Sequence, residues 1–252
     1  MNRAIAFIQA RMSSSRFPGK VLLPLAGVPM IVYMARRARK ARLLDDVVVV
    51  TSTDASDDAL ANALEEADVH VFRGDLENVL KRYADAAQAF DSQDIVRLTG
   101  DCPLIDPDVI DAVISLRRSA STDYASNVDP ATYPDGLDVE CFTREVLGRA
   151  LMEATRAPHR EHVTLWMREE KSGCSRANLR ALCDFSDLRL TVDYPDDLEM
   201  VRELVWALPE DGQFDLFDIL REMSRNAVLR DMNPHTRNEG LATSLARDGV
   251  WP

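Results

Sequence analysis

The feature of this sequence that most constrains its fold is an alternation of short apolar runs with longer segments of helical periodicity. Residues 4–10 form an apolar run flanked by charge, which predicts a buried strand. Further strands are predicted at 47–50, 69–72 and 94–98, and the intervening segments predict helices at 29–43, 55–67 and 76–90. This alternation favours an α/β fold, in which a mainly parallel sheet carries helices on both faces.

The second half of the chain is less regular. A helix is predicted from Pro107 to residue 118, since proline fits the first turn of a helix. Beyond it the patterns predict strands at 123–127, 137–142 and 188–192, and helices at 144–155, 159–170 and 195–208. No internal repeat or flexible linker marks a boundary, so we expect one domain over 1–252 with a segment inserted at about 124–185.

Composition and charge exclude some partners. The chain has 252 residues, 46% of them hydrophobic, and a net charge of −12, which repels nucleic acid and anionic membrane surfaces. Its first apolar run is too short for a signal peptide or a membrane span. The four cysteines are widely spaced and follow no metal-binding pattern, which predicts reduced thiols in a cytoplasmic protein.

The loop that follows the first strand carries three cations within ten residues. Arg11, Arg16 and Lys20 alternate with serines and with Gly19, where the backbone can approach a ligand closely. Ligands of open α/β sheets bind beyond the carboxyl ends of strands, and arginine and lysine bind phosphates. The loop therefore predicts a polyphosphate site without the Walker spacing; a solvated basic loop is the alternative.

Two carboxylates follow predicted strands in the same way. Asp101 comes directly after the strand 94–98, and Asp193 after the strand 188–192. Carboxylates beside bound phosphates are suitable Mg²⁺ ligands. For Asp106 we prefer the role of a helix cap, and Asp196 and Asp197 are accounted for by the dipole of the next helix.

Seven segments occur in an order typical of one family: IQARMSSSRFPGK with LLPLAGVPMI, VVVVTSTDASDD, VFRGDLENVLKRY, RLTGDCPLIDP, YPDGLDVECF, REHVT and LTVDYPDDLE. Together they resemble the cytidylyltransferases that make CMP-activated acidic sugars, the CMP-Kdo and CMP-sialic acid synthetases, and most closely the SpsF-like branch of spore-coat polysaccharide biosynthesis. The resemblance implies a Rossmann-like fold of the glycosyltransferase-A type and a homodimer formed through the inserted segment. It also implies CTP or another nucleoside triphosphate as donor, a small acidic acceptor, and Mg²⁺.

The resemblance assigns roles position by position. Nucleotide binding falls to Ala10, Arg11, Ser13, Ser14, Ser15, Arg16, Lys20, Arg73, Thr99 and Asp101. The metal ligands are Asp101 and Asp193, which with Arg11 and Lys20 form the catalytic set. Acceptor binding falls to Asp135, Gly136, Asp138, Glu140, His159, Arg160 and His162. Thr99 stands where sugar-acid synthetases often carry glutamine, which leaves the identity of the acceptor open.

The reaction expected from these residues is attack of an acceptor oxygen on the α-phosphorus of the triphosphate, with pyrophosphate as the leaving group. The general base stays open between Asp193 and a metal-bound hydroxide. Two alternative functions are a glycosyltransferase that consumes a nucleotide-sugar and a nucleotide-binding protein without turnover. For His159 and His162, exposed helical positions are as well supported as acceptor contacts. Trp166, Tyr194 and Trp206 are predicted in the core.

Overall fold

The computed structural model describes residues 2–209, 213–232 and 235–237. Within them lies a seven-stranded sheet, and a short antiparallel ribbon is formed by β2 (Pro24–Leu25) and β3 (Val28–Pro29). The strands of the large sheet are β1 (Ala4–Gln9), β4 (Asp46–Ser52), β5 (His70–Gly74), β6 (Asp94–Thr99), β7 (Tyr124–Ser126), β8 (Glu140–Thr143) and β9 (Arg176–Asn178).

Helices connect the strands and cover the sheet. The α-helices are α1 (Met30–Ala38), α2 (Asp58–Glu66), α3 (Val79–Ala89), α4 (Pro107–Ala120), α5 (Arg144–Glu153), α6 (Ala157–Glu161), α7 (Leu165–Arg168), α8 (Pro195–Ala207), α9 (Leu216–Arg225) and α10 (Ala227–Asp231). Short 3₁₀ turns lie at Lys20–Leu22, Ala55–Asp57 and Glu170–Ser172. Across the described residues, every helix is too short or too polar to cross a bilayer.

The sheet has the order β5-β4-β1-β6-β8-β7-β9. The first four strands in this order run parallel, whereas β8 is antiparallel to β6 and to β7, and β9 is parallel to β7. This confirms the predicted α/β fold with a mainly parallel sheet. The last three strands come from the segment 124–185, so part of that segment extends the central sheet.

The central strand β1 is buried on both faces, which explains its unbroken apolar run. Ile5 and Phe7 pack on one face with residues of α3 and α5. Ala6 and Ile8 point to the other face, where α1 and α4 complete a larger core. Layers on both sides therefore hold β1 rigidly, and the loop that follows it starts from a fixed point.

Several local predictions are wrong. The predicted helix 159–170 is broken into α6, α7 and a 3₁₀ turn, because His162 leaves the helical region and the chain turns so that Thr164 reaches Glu140. The predicted strand 188–192 forms only an isolated bridge between Asp135 and Arg189, since its backbone pairs with loops rather than with a neighbouring strand.

The prediction that three aromatic side chains lie in the core has a different outcome for each of them. Trp166 is buried as predicted, Tyr194 is half-buried, and Trp206 is 85% exposed, so the core prediction is wrong for Trp206. Sequence patterns also missed α9, which begins with a capping box between Asp215 and Asp218. The stretch 226–252 gave no sequence signal; its first residues form α10, and the residues beyond 237 lie outside the described part.

Candidate active site

A cleft of about 510 Å³ opens at the carboxyl ends of β1 and β6. These strands are parallel neighbours, so the loops that follow them start side by side. Gly100 permits this approach: a Cβ atom there would lie 3.0 Å from the Ala10 Cβ and from the Gln9 carbonyl oxygen. Its N–H also donates to that carbonyl at 2.8 Å. A glycine at the end of β6 thus brings the two predicted loops to one site.

Lys20 lies at the centre of the cleft, although it is only 7% exposed. Its Nζ donates to the Val192 carbonyl at 2.6 Å and to Asp193 Oδ1 at 2.8 Å, and lies 3.8 Å from Asp101 Oδ2. The ammonium group therefore joins the two carboxylates that the sequence assigns to a metal.

Two further cationic side chains form ion pairs with Asp193. Arg16 Nη2 lies 2.6 Å from its Oδ1, and Arg189 Nη2 lies 3.2 Å from its Oδ2. Its backbone N–H donates at 2.6 Å to Asp197, which also pairs with Arg189 at 2.6 Å. Asp197 is fully buried. Asp197 lies in the first turn of α8, and in addition it fixes the loop that carries Asp193.

Asp101 faces the cleft with a partly exposed carboxylate. Burial acts to raise its pKa, but the charge of Lys20 and a hydrogen bond from Thr99 outweigh this and hold the pKa below its ordinary value. The group is therefore ionised at neutral pH. An accessible carboxylate beside a second one that already attracts cations is a donor set that fits a hard divalent ion such as Mg²⁺.

Other residues of the basic loop also line the cleft. Arg11, Ser14, Ser15 and Arg16 face the cleft with Ala10, whereas the exposed Ser13 lies outside its wall. The loop is anchored where the Met12 N–H donates to Asp57 Oδ1 at 2.7 Å.

Arg82 adds a cation to this wall that the sequence reasoning missed. It is 1% exposed, and its guanidinium donates to the Asp75 and Leu76 carbonyls. Burial lowers the pKa of Arg82, and the nearby positive charge of Arg11 also acts to lower it. The cleft therefore has a strongly basic end. The available signal was an arginine at a position of α3 that the helical period places on the buried face.

Arg73 is not brought to the cleft. Its Nε donates to the Ser52 carbonyl at 2.9 Å, and its Nη2 pairs with Asp58 at 2.6 Å. These contacts hold the chain between β4 and α2. Arg73, which the resemblance assigns to the nucleotide, therefore lies outside the wall of the cleft.

The other end of the cleft contains three of the predicted acceptor residues, Asp135, Asp138 and Glu140. Burial and the neighbouring Asp138 raise the pKa of Asp135 to about 7. Burial also raises the pKa of Asp138 to about 6, although Arg237 opposes the shift through an ion pair. Gly136 does not line the cleft; its φ is 101°, and a Cβ there would lie 2.8 Å from the Leu190 carbonyl carbon.

Glu140 is a buried carboxylate with three partners. It forms an ion pair with Arg97 and accepts hydrogen bonds from Tyr124 and Thr164, each at 2.6 Å. Burial acts to raise its pKa, but Arg97 dominates and lowers it to about 2. The sequence reasoning missed Arg97, whose signal was a charge inside an apolar strand.

Of the predicted acceptor residues His159, Arg160 and His162, only one lies at the cleft. His162 lines it, and burial lowers its pKa, so the ring is neutral at pH 7. His159 is 1% exposed and its Nε2 lies 2.9 Å from Glu169, away from the cleft; Arg160 is exposed outside the wall. Thr164 and Arg168, which the sequence reasoning missed, complete this wall.

A cleft at the carboxyl ends of parallel strands that combines a basic loop with two carboxylates has the arrangement of a nucleotidyltransferase. A family model described as "Cytidylyltransferase" matches residues 5–232. The chain belongs to this cytidylyltransferase family, which confirms the resemblance found in the sequence.

Three known proteins illustrate the similarity. The spore coat polysaccharide biosynthesis protein SpsF of Bacillus subtilis is 30% identical over 233 residues, which are 90% of this chain and 96% of SpsF. The structure of a cytidylyltransferase from Leptospira borgpetersenii superposes with a TM-score of 0.87 at 28% identity, covering 94% of this chain and 99% of that one. A CMP-2-keto-3-deoxy-manno-octonic acid synthetase complexed with CTP shares the fold, with a TM-score of 0.64 at 21% identity and coverage of 81% and 99%.

Proposed function

We propose that this protein transfers CMP from CTP to an acidic sugar or a related small acceptor, releases pyrophosphate, and thereby supplies surface polysaccharide or glycan synthesis. The observation that carries the proposal is the position of Lys20 between Asp101 and Asp193, at the junction of a basic and a mixed-charge end of one cleft. The family membership and the names of the relatives, SpsF and a synthetase crystallised with CTP, support it.

The basic end suits the triphosphate. Arg11 and Arg16 offer guanidinium groups, Arg82 adds a buried positive charge and Lys20 a point charge, so that charge developing on the pyrophosphate is stabilised by groups already in place. Asp101 and Asp193 would hold Mg²⁺, which would neutralise phosphate charge during the reaction. In the reaction an acceptor oxygen forms a bond to the α-phosphorus, and the bond to the β-phosphate oxygen breaks with its electron pair leaving on pyrophosphate.

The proton of the acceptor hydroxyl needs a base. The oxygens of Asp193 are already occupied by contacts with Lys20, Arg16 and Arg189. Asp135 lines the acceptor end and has a pKa of about 7, close to the value at which a general base works best. We therefore assign the base to Asp135.

A homodimer in the cytoplasm is part of the proposal. Met152 and Leu182, both in the segment 124–185, expose 86% and 103% of their surface and are therefore accessible to a partner. The cytoplasm supplies CTP and keeps thiols such as the exposed Cys183 reduced. Light scattering at several concentrations, with Met152→Glu as the variant, tests the dimer.

Pyrophosphate release tests the activity. The protein is mixed with Mg²⁺, one of the four common ribonucleoside triphosphates, and one of several acceptors: Kdo, sialic, pseudaminic and legionaminic acids and aminoalkylphosphonates. Release with CTP and a sugar acid is expected. Release with another triphosphate alone, or glycosyl transfer from a nucleotide-sugar, contradicts the proposal.

A further inference from the structure

A buried carboxylate anchors the basic loop from outside the wall of the cleft. Asp57 is fully buried and is the last residue of the 3₁₀ turn that follows β4. Its Oδ1 accepts from the Met12 N–H at 2.7 Å, and its Oδ2 accepts from the Ser52 N–H at 3.1 Å and from the Ser52 hydroxyl. Asp57 therefore joins the end of β4 to the loop after β1.

Asp57 is ionised although it is buried. Burial acts to raise the pKa of its carboxyl, but hydrogen bonds from Met12 and Ser52 outweigh this and hold the pKa below its ordinary value. Hydrogen bonds to an ionised acceptor are roughly twice as strong as those between neutral groups. The Met12 N–H is therefore held more firmly than a neutral acceptor would hold it.

The backbone of Met12 is the point around which the basic loop folds. Its carbonyl accepts from the Ser14 N–H at 3.0 Å and from the Gly19 N–H at 2.9 Å. Gly19 has a φ of 74°, which glycine adopts without strain, and Lys20 follows it directly. Arg11 directly precedes Met12. Both ends of the loop are thus tied to Met12, and through its N–H to Asp57.

The charge of Asp57 also acts on the basic end of the cleft. It acts to raise the pKa of the buried Arg82, whereas the charge of Arg11 acts to lower it. Cations gathered for a polyphosphate repel one another as long as no anion lies between them. Asp57 offsets part of this repulsion, so the cations can stay in place before the nucleotide binds.

We propose that Asp57 is a positioning residue for the β- and γ-phosphates of CTP. It acts through the Met12 backbone, which sets where Arg11 and Lys20 begin. The inference rests on the proposed function and assigns part of its nucleotide binding to a residue outside the cleft. Charged groups stabilise a leaving pyrophosphate only when they are held in place beforehand, and a displacement of about 1 Å can cost about a hundredfold in rate.

The test separates the phosphates from the rest of the nucleotide. Inorganic pyrophosphate, CMP and CTP are each titrated calorimetrically in the presence of Mg²⁺. Asp57→Asn keeps the size of the side chain but removes its charge and one acceptor oxygen, so the bonds from Met12 and Ser52 cannot all be kept.

Asp111→Asn is the matched control. Asp111 is also buried and also holds a loop through backbone donors, since it accepts from the Arg42 and Leu43 N–H groups at 3.0 and 2.8 Å. It lies outside the wall of the cleft. Asp111→Asn is therefore expected to lower Tm and to keep the wild-type affinities for all three ligands.

Asp57→Asn is expected to bind pyrophosphate and CTP about ten- to a hundredfold more weakly, as for the loss of a hydrogen bond to a charged group, and CMP as the wild type does. In turnover, kcat/KM for CTP should fall while KM for the acceptor stays unchanged, a split that a general loss of stability does not produce. Hydrogen exchange over residues 11–20 should be faster than in the wild type, and exchange in β1 unchanged.

A second variant serves if circular dichroism shows that Asp57→Asn is unfolded. Ser52→Ala removes the hydroxyl that orients Asp57 and leaves the bond from Met12 in place. It is expected to weaken pyrophosphate binding about two- to tenfold without changing the affinity for CMP. Wild-type pyrophosphate affinity in this variant would then overturn the inference.

Three further results overturn it: wild-type pyrophosphate affinity in folded Asp57→Asn, an equal loss of affinity for CMP and pyrophosphate, and an equal loss in Asp111→Asn. Wild-type turnover by Asp57→Asn removes this inference alone. Asp57-dependent binding of CTP and pyrophosphate without pyrophosphate release for any acceptor removes the proposed function and leaves the inference standing. A wild type that binds neither CTP nor pyrophosphate removes both.

Discussion

Nζ of Lys20 lies 2.8 Å from Oδ1 of Asp193, which joins the loop after β1 to the loop before α8 across 173 positions of sequence. The same nitrogen lies 3.8 Å from Asp101. One buried ammonium thus ties together the three segments in which the sequence placed its candidate chemistry.

Replacing Lys20 by alanine removes that ammonium. Arg16 and Arg189 still pair with Asp193, so the variant is expected to fold. The rate of pyrophosphate release is expected to fall about a hundredfold or more, the usual effect of losing one preorganised charge contact. Lys171→Ala, at an exposed position, serves as the control. Near-wild-type turnover by folded Lys20→Ala would remove Lys20 from the mechanism.

Asp101→Asn keeps the shape of the side chain and removes its charge. Because Asp101 is the accessible carboxylate of the predicted metal pair, the variant is expected to need a higher Mg²⁺ concentration and to react about a hundredfold more slowly at saturation. A titration of Mg²⁺ against pyrophosphate release measures both effects. An unchanged Mg²⁺ dependence would show that Asp101 does not hold the ion.

The pH dependence of the rate tests Asp135 as base. The base must be unprotonated, so kcat/KM is expected to rise with pH, to reach half its maximum near pH 7 and to level off above that value. Asp135→Asn should lower the rate and abolish the rise. Asp187→Asn, at an exposed position, should keep the wild-type profile. If Asp135→Asn retains the inflection near pH 7, another group is the base.

The same carboxyl group makes stability depend on pH. Its pKa is raised in the folded protein, from 3.8 to about 7, so its protonated form contributes stability that is lost as the pH rises through this range. Asparagine does not ionise, and Asp135→Asn should therefore raise Tm more at pH 8 than at pH 5. Melting curves at the two pH values give the comparison, and an equal change at both contradicts the shift.

Asp197 is expected to matter for stability rather than for contact with substrate. It is fully buried, pairs with Arg189, and accepts from two backbone N–H groups. Removing one member of a buried pair costs about 3–5 kcal/mol, so Asp197→Ala should lower the free energy of unfolding by this amount. Urea denaturation measures it. A loss below about 1 kcal/mol would mean that the loop holds its shape without the pair.

Local signals carried the sequence-based predictions that the structure confirms. Asp106 caps α4, as preferred, by accepting from the Asp108 and Val109 N–H groups at 2.8 and 3.1 Å. The buried strands were visible because β1 and β4 are apolar on both faces. These features depend on neighbours in sequence, or on burial that the composition of a strand reveals.

The features that the sequence did not predict depend on contacts between distant segments. The break after α6 follows from the hydrogen bond between Thr164 and Glu140, which no local pattern encodes. Arg237 pairs with Asp138 from a stretch without apolar periodicity, 99 positions away. Arg97 and Arg168 belong to a site only because the sheet and α7 meet there. More of the residues predicted for the nucleotide than of those predicted for the acceptor line the cleft, since most of the former lie in loops that directly follow strands.

The most direct test of the account is product analysis after incubation of the protein with CTP, Mg²⁺ and the sugar acids. Mass spectrometry of the products and assay of pyrophosphate should show a CMP-linked acid and pyrophosphate in equal amounts, and Lys20→Ala should form both about a hundredfold more slowly or less. Pyrophosphate without a CMP-linked product, or a glycosylated product formed only from a nucleotide-sugar, would contradict the central claim.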